Sequence, residues 1–285
     1  MDGYERLDLL DIAISHIPIQ DLYETADRIQ ASNTPLPCFE DALAEALVKW
    51  FKPTFMVWVD PILCPICNGS MECRAVQGPS TDEERKGGAG RVEIHGCNKV
   101  GCGGVVRFPR YNDLAALMKS RKGRCGEFAN LFTLFLRAVG LRARYVWNAE
   151  DHVWNEYYSP GQDRWVHLDS CENARDQHHL YSNGWGKKMS LVVAFSTDGA
   201  HDVSRAYIPE GGQWEEAMRM RKYSEDQLSQ VVRRITQRGR EGRPKEEFDR
   251  LEREDERDRT WWQEEGEGRK SGTQEWKDAR GEGGK

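Results

Sequence analysis

Apolar residues recur at helical spacing in two places near the N-terminus: Leu22, Ala26 and Ile29 within 18–30, and Leu43, Ala46, Leu47 and Trp50 within 39–51. Each spacing predicts an amphipathic helix with one face toward a core. From Trp58 to about residue 110 the helical period gives way to short β-like runs among cysteines and glycines. A polar, glycine-rich stretch at 78–90 reads as a mobile loop within them. The richest segment is 111–208. Leu131-Phe132-Thr133-Leu134-Phe135-Leu136 is apolar on several faces, so a helix opening near Cys125 and stopping at Gly140 should be buried. Runs 142–147, 152–158 and 164–169 read as strands, with 159–163 as the turn between the last two, and 191–195 as a further apolar strand. A helix followed by antiparallel strands implies an α+β layer.

Beyond Gln213 the chain is highly charged. Ser224 and Gln227 can form a capping box in front of an apolar stripe of Leu228, Val231, Val232 and Ile235. Pro244 can open another helix through Phe248 and Leu251. After Thr260, Gly, Glu, Lys and Arg dominate, which predicts a disordered tail over 261–285.

Length and charge narrow the classes. The 285 residues suffice for one large domain or two small ones, and a formal net charge of −6 argues against a nucleic-acid partner. No apolar run is long enough to span a bilayer, and residues 1–6 lack the features of a secretory signal. The expectation is a cytoplasmic protein, also able to act in the nucleus, with no membrane partner. Its eight cysteines would then be reduced, so paired ones point to metal or catalysis. Cys38 reads as a small buried hydrophobe.

Cys64-Pro65-Ile66-Cys67 is a two-residue-spaced knuckle, and Cys97 and Cys102 form a second, wider pair. Four thiolates on two turns close a tetrahedral structural zinc site, so Cys64, Cys67, Cys97 and Cys102 are the expected ligands of one Zn2+. Cys73 and His95 are the substitutes in reach.

Cys125, His152 and Asp169 each sit where a cysteine nucleophile, its base and the base's orienter would be needed. Cys125 opens a helix, where first-turn N–H groups and the dipole favour a thiolate, and its backbone N–H would face a developing oxyanion. His152 begins a strand, and a short hairpin would bring Asp169 beside it to fix the imidazole.

The motifs Arg107-Phe108-Pro109-Arg110-Tyr111-Asn112-Asp113, Gly123-Arg124-Cys125-Gly126-Glu127, Arg144-Tyr145-Val146-Trp147, Asp151-His152-Val153-Trp154, Asp169-Ser170-Cys171-Glu172 and Lys187-Lys188-Met189-Ser190 carry a resemblance. With the zinc segment and Trp58 it covers roughly residues 40–208. Over that span the chain resembles the transglutaminase-like core of cytoplasmic peptide:N-glycanases, in their compact fungal form without an N-terminal adaptor or C-terminal sugar-binding domain.

The resemblance implies an α+β fold: a transglutaminase-like (papain-like) cysteine hydrolase core with an antiparallel sheet, an inserted four-cysteine zinc subdomain and flanking helices. The expected organisation is a helical segment at 1–56, the zinc subdomain at 57–110, the catalytic core at 111–212, a charged helical extension at 213–260 and the tail at 261–285. It also implies removal of N-linked glycans from misfolded glycoproteins by hydrolysis of the glycosylated asparagine amide. Cys125 would be nucleophile, His152 acid and base, and Asp169 the orienter. Trp58, Trp154, Trp165 and Glu172 would line the sugar and oxyanion region, although core packing serves the tryptophans equally well. A ubiquitin-receptor proteasome shuttle is the implied partner, docking on the N-terminal helix or on helix 224–238. The trio alone leaves three other readings open: transglutaminase or cysteine protease, a glycoprotein-binding or proteasome-linked scaffold with a vestigial site, and zinc-dependent nucleic-acid binding.

Overall fold

Three helices lead the chain: α1 (Leu7–His16), α2 (Ile19–Gln30) and α3 (Phe39–Trp50). The predicted stripes on α2 and α3 are buried at Leu22, Ala26, Leu43, Ala46 and Leu47. The apolar pattern does not single out α1, which buries only Leu9 and Ala13. The structure is a computed structural model that describes residues 1–264.

A cysteine-rich lobe follows. Strand β1 (Val57–Trp58) precedes β2 (Met71–Gln77), the helical turn α4 (Asp82–Lys86), β3 (Val92–Cys97) and β4 (Val105–Pro109), and β2, β3 and β4 form an antiparallel sheet in that order. The stretch 78–90, expected as a mobile loop, is built around α4. Thr81 and Glu84 form a capping box there, and the buried Glu84 carboxylate pairs with Arg107. A short stretch read as polar and glycine-rich is thus anchored by one buried carboxylate and its arginine partner.

The chain then forms α5 (Leu114–Ser120), β5 (Lys122–Gly123) and the central helix α6 (Cys125–Ala138), which ends as expected before Gly140 at φ +84°. Strands β6 (Ala143–Asn148), β7 (His152–Ser159), β8 (Arg164–Asp169), β9 (Ala174–Arg175), β10 (Val192–Ser196) and β11 (Gly199–Asp202) make one sheet, ordered β11-β10-β6-β7-β8-β9 with every neighbour antiparallel. One face covers α6. There Phe51, Phe55, Phe128, Phe132 and Phe135 interlock at ring-centroid distances of 4.8–6.0 Å. Helices α1 to α3 share this core with α6, so residues 1–56 have no core of their own.

The other sheet face is covered too. Helices α7 (Ser204–Tyr207), α8 (Gly212–Met220), α9 (Glu225–Arg240), α10 (Lys245–Asp258) and α11 (Trp261–Glu264) complete the described chain. Trp154, Tyr181, Tyr207, Ala217 and Trp261 form a second core on this side. The predicted box caps α9 (Ser224 and Gln227), but its stripe divides: Val232 is half-buried while Val231 is exposed. The tail expected from residue 261 begins instead with a buried Trp261 under the Arg164 guanidinium. The rest of that expectation, 265–285, lies outside the described residues.

Candidate active site

Helix α6 starts at Cys125 because the turn before it is clamped. Arg124 is extended at the cap, and Glu127 reaches back to accept its backbone N–H at 2.9 Å. Gly123 is required, since a Cβ there would lie 2.2 Å from that of Glu127. Arg110 grips Glu127 through two hydrogen bonds of 2.6 and 3.0 Å and also binds Glu93 on β3 at 3.0 Å. The Arg124 guanidinium binds Glu93 as well, at 3.0 Å, and donates to the Val59 carbonyl. The turn before Cys125 is therefore fixed to the cysteine-rich sheet.

A buried amide aligns α6 with β7. Asn155 donates to the Ala129 carbonyl at 3.1 Å and to the Thr133 hydroxyl at 2.8 Å. Three residues earlier on the same strand, His152 donates from Nε2 to Asp169 Oδ2 at 3.0 Å. Asp169 ends β8, and its Oδ1 accepts the backbone N–H groups of Cys171 and Glu172 at 2.7 and 3.1 Å. A further donor reaches Oδ2: the Tyr181 hydroxyl, at 2.7 Å.

This arrangement sets the charge of the imidazole. Burial disfavours the imidazolium most, but hydrogen bonds and charges from Asp169 and Cys125 together outweigh it, and the His152 pKa is pushed up to about 9. Burial also works against the Asp169 carboxylate, yet its donors, His152 first, hold it below the usual carboxylate range. At neutral pH the pair is thus imidazolium and carboxylate, and the imidazolium faces the half-buried Cys125. Cysteine, imidazole and carboxylate in this order can perform acyl transfer.

The residues expected to face sugar divide. Trp58 is 39% exposed, edge-on to Phe128 in the first turn of α6. Glu172 is half-buried in the turn that holds Asp169. Trp154 and Trp165, however, are only 1% and 4% exposed. Trp154 packs on Tyr181 at 4.3 Å, and Trp165 lies under the Arg144 guanidinium at 3.9 Å. Both are packing residues, because helices cover the outer sheet face that a two-layer reading leaves open. Sequence reasoning missed Trp185, which is 39% exposed and meets the His152 ring edge-on at 5.0 Å. It missed Tyr181 as well. No local signal marks either one, since both sit in an irregular segment that only the fold brings to Asp169. A polar cleft of about 470 Å³ is lined by Tyr4, Arg91, Arg110, Asn130 and Tyr145, with Gly126 at its edge.

The four predicted cysteines converge. Cys64 Sγ lies 3.6 Å from Cys102 Sγ, Cys67 Sγ lies 3.5 Å from Cys97 Sγ, and all four lie within 4.8 Å of one another. A tetrahedral ion with bonds of about 2.3 Å spaces its sulfurs at about 3.8 Å, so the set fits a metal. Gly104 completes the cradle: a Cβ there would meet Cys64 Sγ at 2.3 Å. Cys73 and His95 stay outside this set. His95 bonds Glu93 instead, whose carboxylate already serves Arg110 and Arg124.

Comparison with known proteins agrees with this geometry. The transglutaminase-like superfamily model matches residues 73–170, and the Rad4 transglutaminase-like domain model matches 146–259. A protein of Yarrowia lipolytica named peptide-N(4)-(N-acetyl-beta-glucosaminyl)asparagine amidase is 40% identical over 99% of this chain and 81% of its own length. The chain belongs to that amidase family. A Saccharomyces cerevisiae relative of the same name is 49% identical over 60% of this chain and 47% of its own. For the Homo sapiens relative the values are 45%, 72% and 32%. The fold extends further: a crystal structure of Rad4–Rad23 bound to a 6-4 photoproduct UV lesion superposes with a TM-score of 0.51. That match covers 92% of this chain and 55% of the other at 13% identity, which bears on fold alone.

Proposed function

We propose that this enzyme hydrolyses the glycosylated asparagine side-chain amide of N-glycoproteins, releasing the glycan and leaving aspartate. The carrying observation is Cys125 at the first turn of α6, facing an imidazolium that Asp169 holds at 3.0 Å. Cys125 Sγ attacks the amide carbonyl carbon, and the oxygen takes up negative charge beside the first-turn N–H groups. As the C–N bond breaks, His152 passes its proton to the departing glycosylamine nitrogen, leaving a thioester. Water then attacks with His152 as base, the C–S bond breaks, and aspartate is freed with the cysteine restored. Trp58, against Phe128 of α6, and Trp185, against His152, are exposed and offer aromatic faces to sugar C–H surfaces.

In this reading Cys64, Cys67, Cys97 and Cys102 hold one structural Zn2+, which supplies folding energy and no step of the reaction. The substrates are misfolded glycoproteins in the cytoplasm, with action in the nucleus also open to the enzyme. A ubiquitin-receptor proteasome shuttle is the proposed partner. Tyr23 on α2 and Val231 on α9 leave exposed apolar surface for it, as does Leu7 on the neighbouring α1. Mass spectrometry of a denatured N-glycoprotein incubated with wild type and Cys125→Ala tests the activity. Glycan loss with asparagine converted to aspartate is expected from wild type alone. Deglycosylation by the variant, or an intact substrate with folded wild type, refutes the assignment.

A further inference from the structure

Beyond Asp169 the hydrogen-bond chain continues through two groups that the mechanism does not use. His167 Nε2 lies 2.8 Å from Tyr181 Oη, which lies 2.7 Å from Asp169 Oδ2. The direction of every proton can be assigned. His167 Nδ1 accepts the backbone N–H of Gln177 at 3.3 Å, so the ring proton is on Nε2 and donates to Tyr181 Oη. The Tyr181 proton is then committed to Asp169. Burial keeps His167 neutral, its pKa lowered to about 4 against the pull of Asp169 and Asp176. Burial, aided by Asp169, likewise keeps the Tyr181 hydroxyl protonated, far above its ordinary range. Both side chains are buried, so water cannot replace either donor.

We propose that Tyr181 is a positioning residue that acts through Asp169: its hydroxyl, oriented by His167, takes up part of the Oδ2 charge otherwise offered to His152. This rests on the reading of Cys125, His152 and Asp169 as the reacting trio. Oδ2 serves two donors from different elements, and Oδ1 is pinned by two backbone groups. Without the Tyr181 donor the two backbone groups still hold Oδ1, and the Oδ2 charge is left to His152 alone.

The other titratable groups around this chain are few. Cys125 faces His152 from α6, and Cys171 and Glu172 flank Asp169 beyond β8. Asp176 approaches His167, and Tyr207 packs against Tyr181. Tyr207 in turn donates to Glu156, which pairs with Arg144 and thence Asp258. None of these donates a side-chain hydrogen bond to Asp169 in place of Tyr181 among the described residues.

The test is Tyr181→Phe, read by the pH profile of kcat and by NMR titration of His152 in histidine-labelled protein. Losing a competing donor strengthens the hold of Asp169 on the imidazolium, so the alkaline limb should rise by about half a pH unit above wild type. An imidazolium that holds its proton half a unit more tightly is a poorer acid toward the departing nitrogen, so kcat should fall about twofold to threefold with KM within about twofold. A role in packing alone would reduce thermal stability or activity without moving the limb. Folded Tyr181→Phe protein with an unchanged limb and an unchanged His152 titration overturns the proposal. If that variant does not fold, His167→Leu carries the test: Tyr181 stays but loses its orienting donor, and the limb should move the same way by less. An unmoved limb there overturns it equally. Inactive wild-type protein would remove the amidase reading, while the His152 titration still decides this one.

Discussion

Asp169→Asn isolates the charge that makes the imidazolium. His152 and His167 are both buried, yet one is pushed up to about 9 and the other down to about 4. Two surroundings differ: Asp169 shares a hydrogen bond with His152 and none with His167, and Cys125 faces His152 alone. In the variant the backbone donors of Cys171 and Glu172 still select the side-chain oxygen as acceptor. The amide NH2 is then turned toward His152 Nε2 and Tyr181 Oη, where two donors already point. His152 must give up its Nε2 proton to accept, which puts the neutral ring in the wrong tautomer.

Its pKa should fall from about 9 to the ordinary 6.5 or below, a loss of about 3 kcal/mol in favour of the imidazolium. At pH 7.5 the charged fraction would drop from nearly all to about a tenth. With misorientation added, kcat should fall by about 10³–10⁴, the scale seen when the corresponding carboxylate of a serine protease triad is neutralised. Single-turnover deglycosylation from pH 6 to 10 measures this, with circular dichroism as the fold control. The sign also reaches stability. Because the folded pKa is raised, His152 stabilises the fold fully below about pH 6.5, and that contribution fades as pH rises through about 9. A folded Asp169→Asn protein with more than a tenth of wild-type kcat and the same alkaline limb would refute the reasoning.

Two further outcomes follow from packing. Gly104→Ala should displace Cys64 Sγ and lower bound zinc by elemental analysis, with a lower melting temperature; full zinc content would contradict the cradle. Arg144→Ala should cost about 3–5 kcal/mol in denaturant unfolding, since it strands the buried carboxylates of Glu156 and Asp258; a cost below about 1 kcal/mol would mean that these groups find other partners.

The placement of the candidate trio was legible because each member carries its own local signature. Cys125 begins a run apolar enough to be a buried helix, and His152 and Asp169 sit on strands joined by a short turn, so a hairpin brings them together. The cysteine pairs were legible for a similar reason, since a tight turn fixes both members of a pair wherever the turn is placed. The aromatic lining was not. Alternation along β7 and β8 promises one wet face, yet both strands are buried except at the half-buried Tyr158, because α6 covers one side of the sheet and the C-terminal segments cover the other. That turned Trp154 and Trp165 into core and left Trp58 exposed against Phe128 and Trp185 exposed against the His152 ring.

By itself, the sequence determined what is held by near neighbours: the helix beginning at Cys125, the β7–β8 hairpin and the two thiol turns. Only the tertiary structure decided which distant groups meet them. Tyr181 reaches Asp169, Glu93 reaches Arg124, and Asn155 sets α6 against β7. Local spacing is fixed by bond geometry and backbone hydrogen bonds. Long-range contacts depend on how whole layers pack, and a residue in an irregular segment carries no periodic mark of the partner that packing will give it.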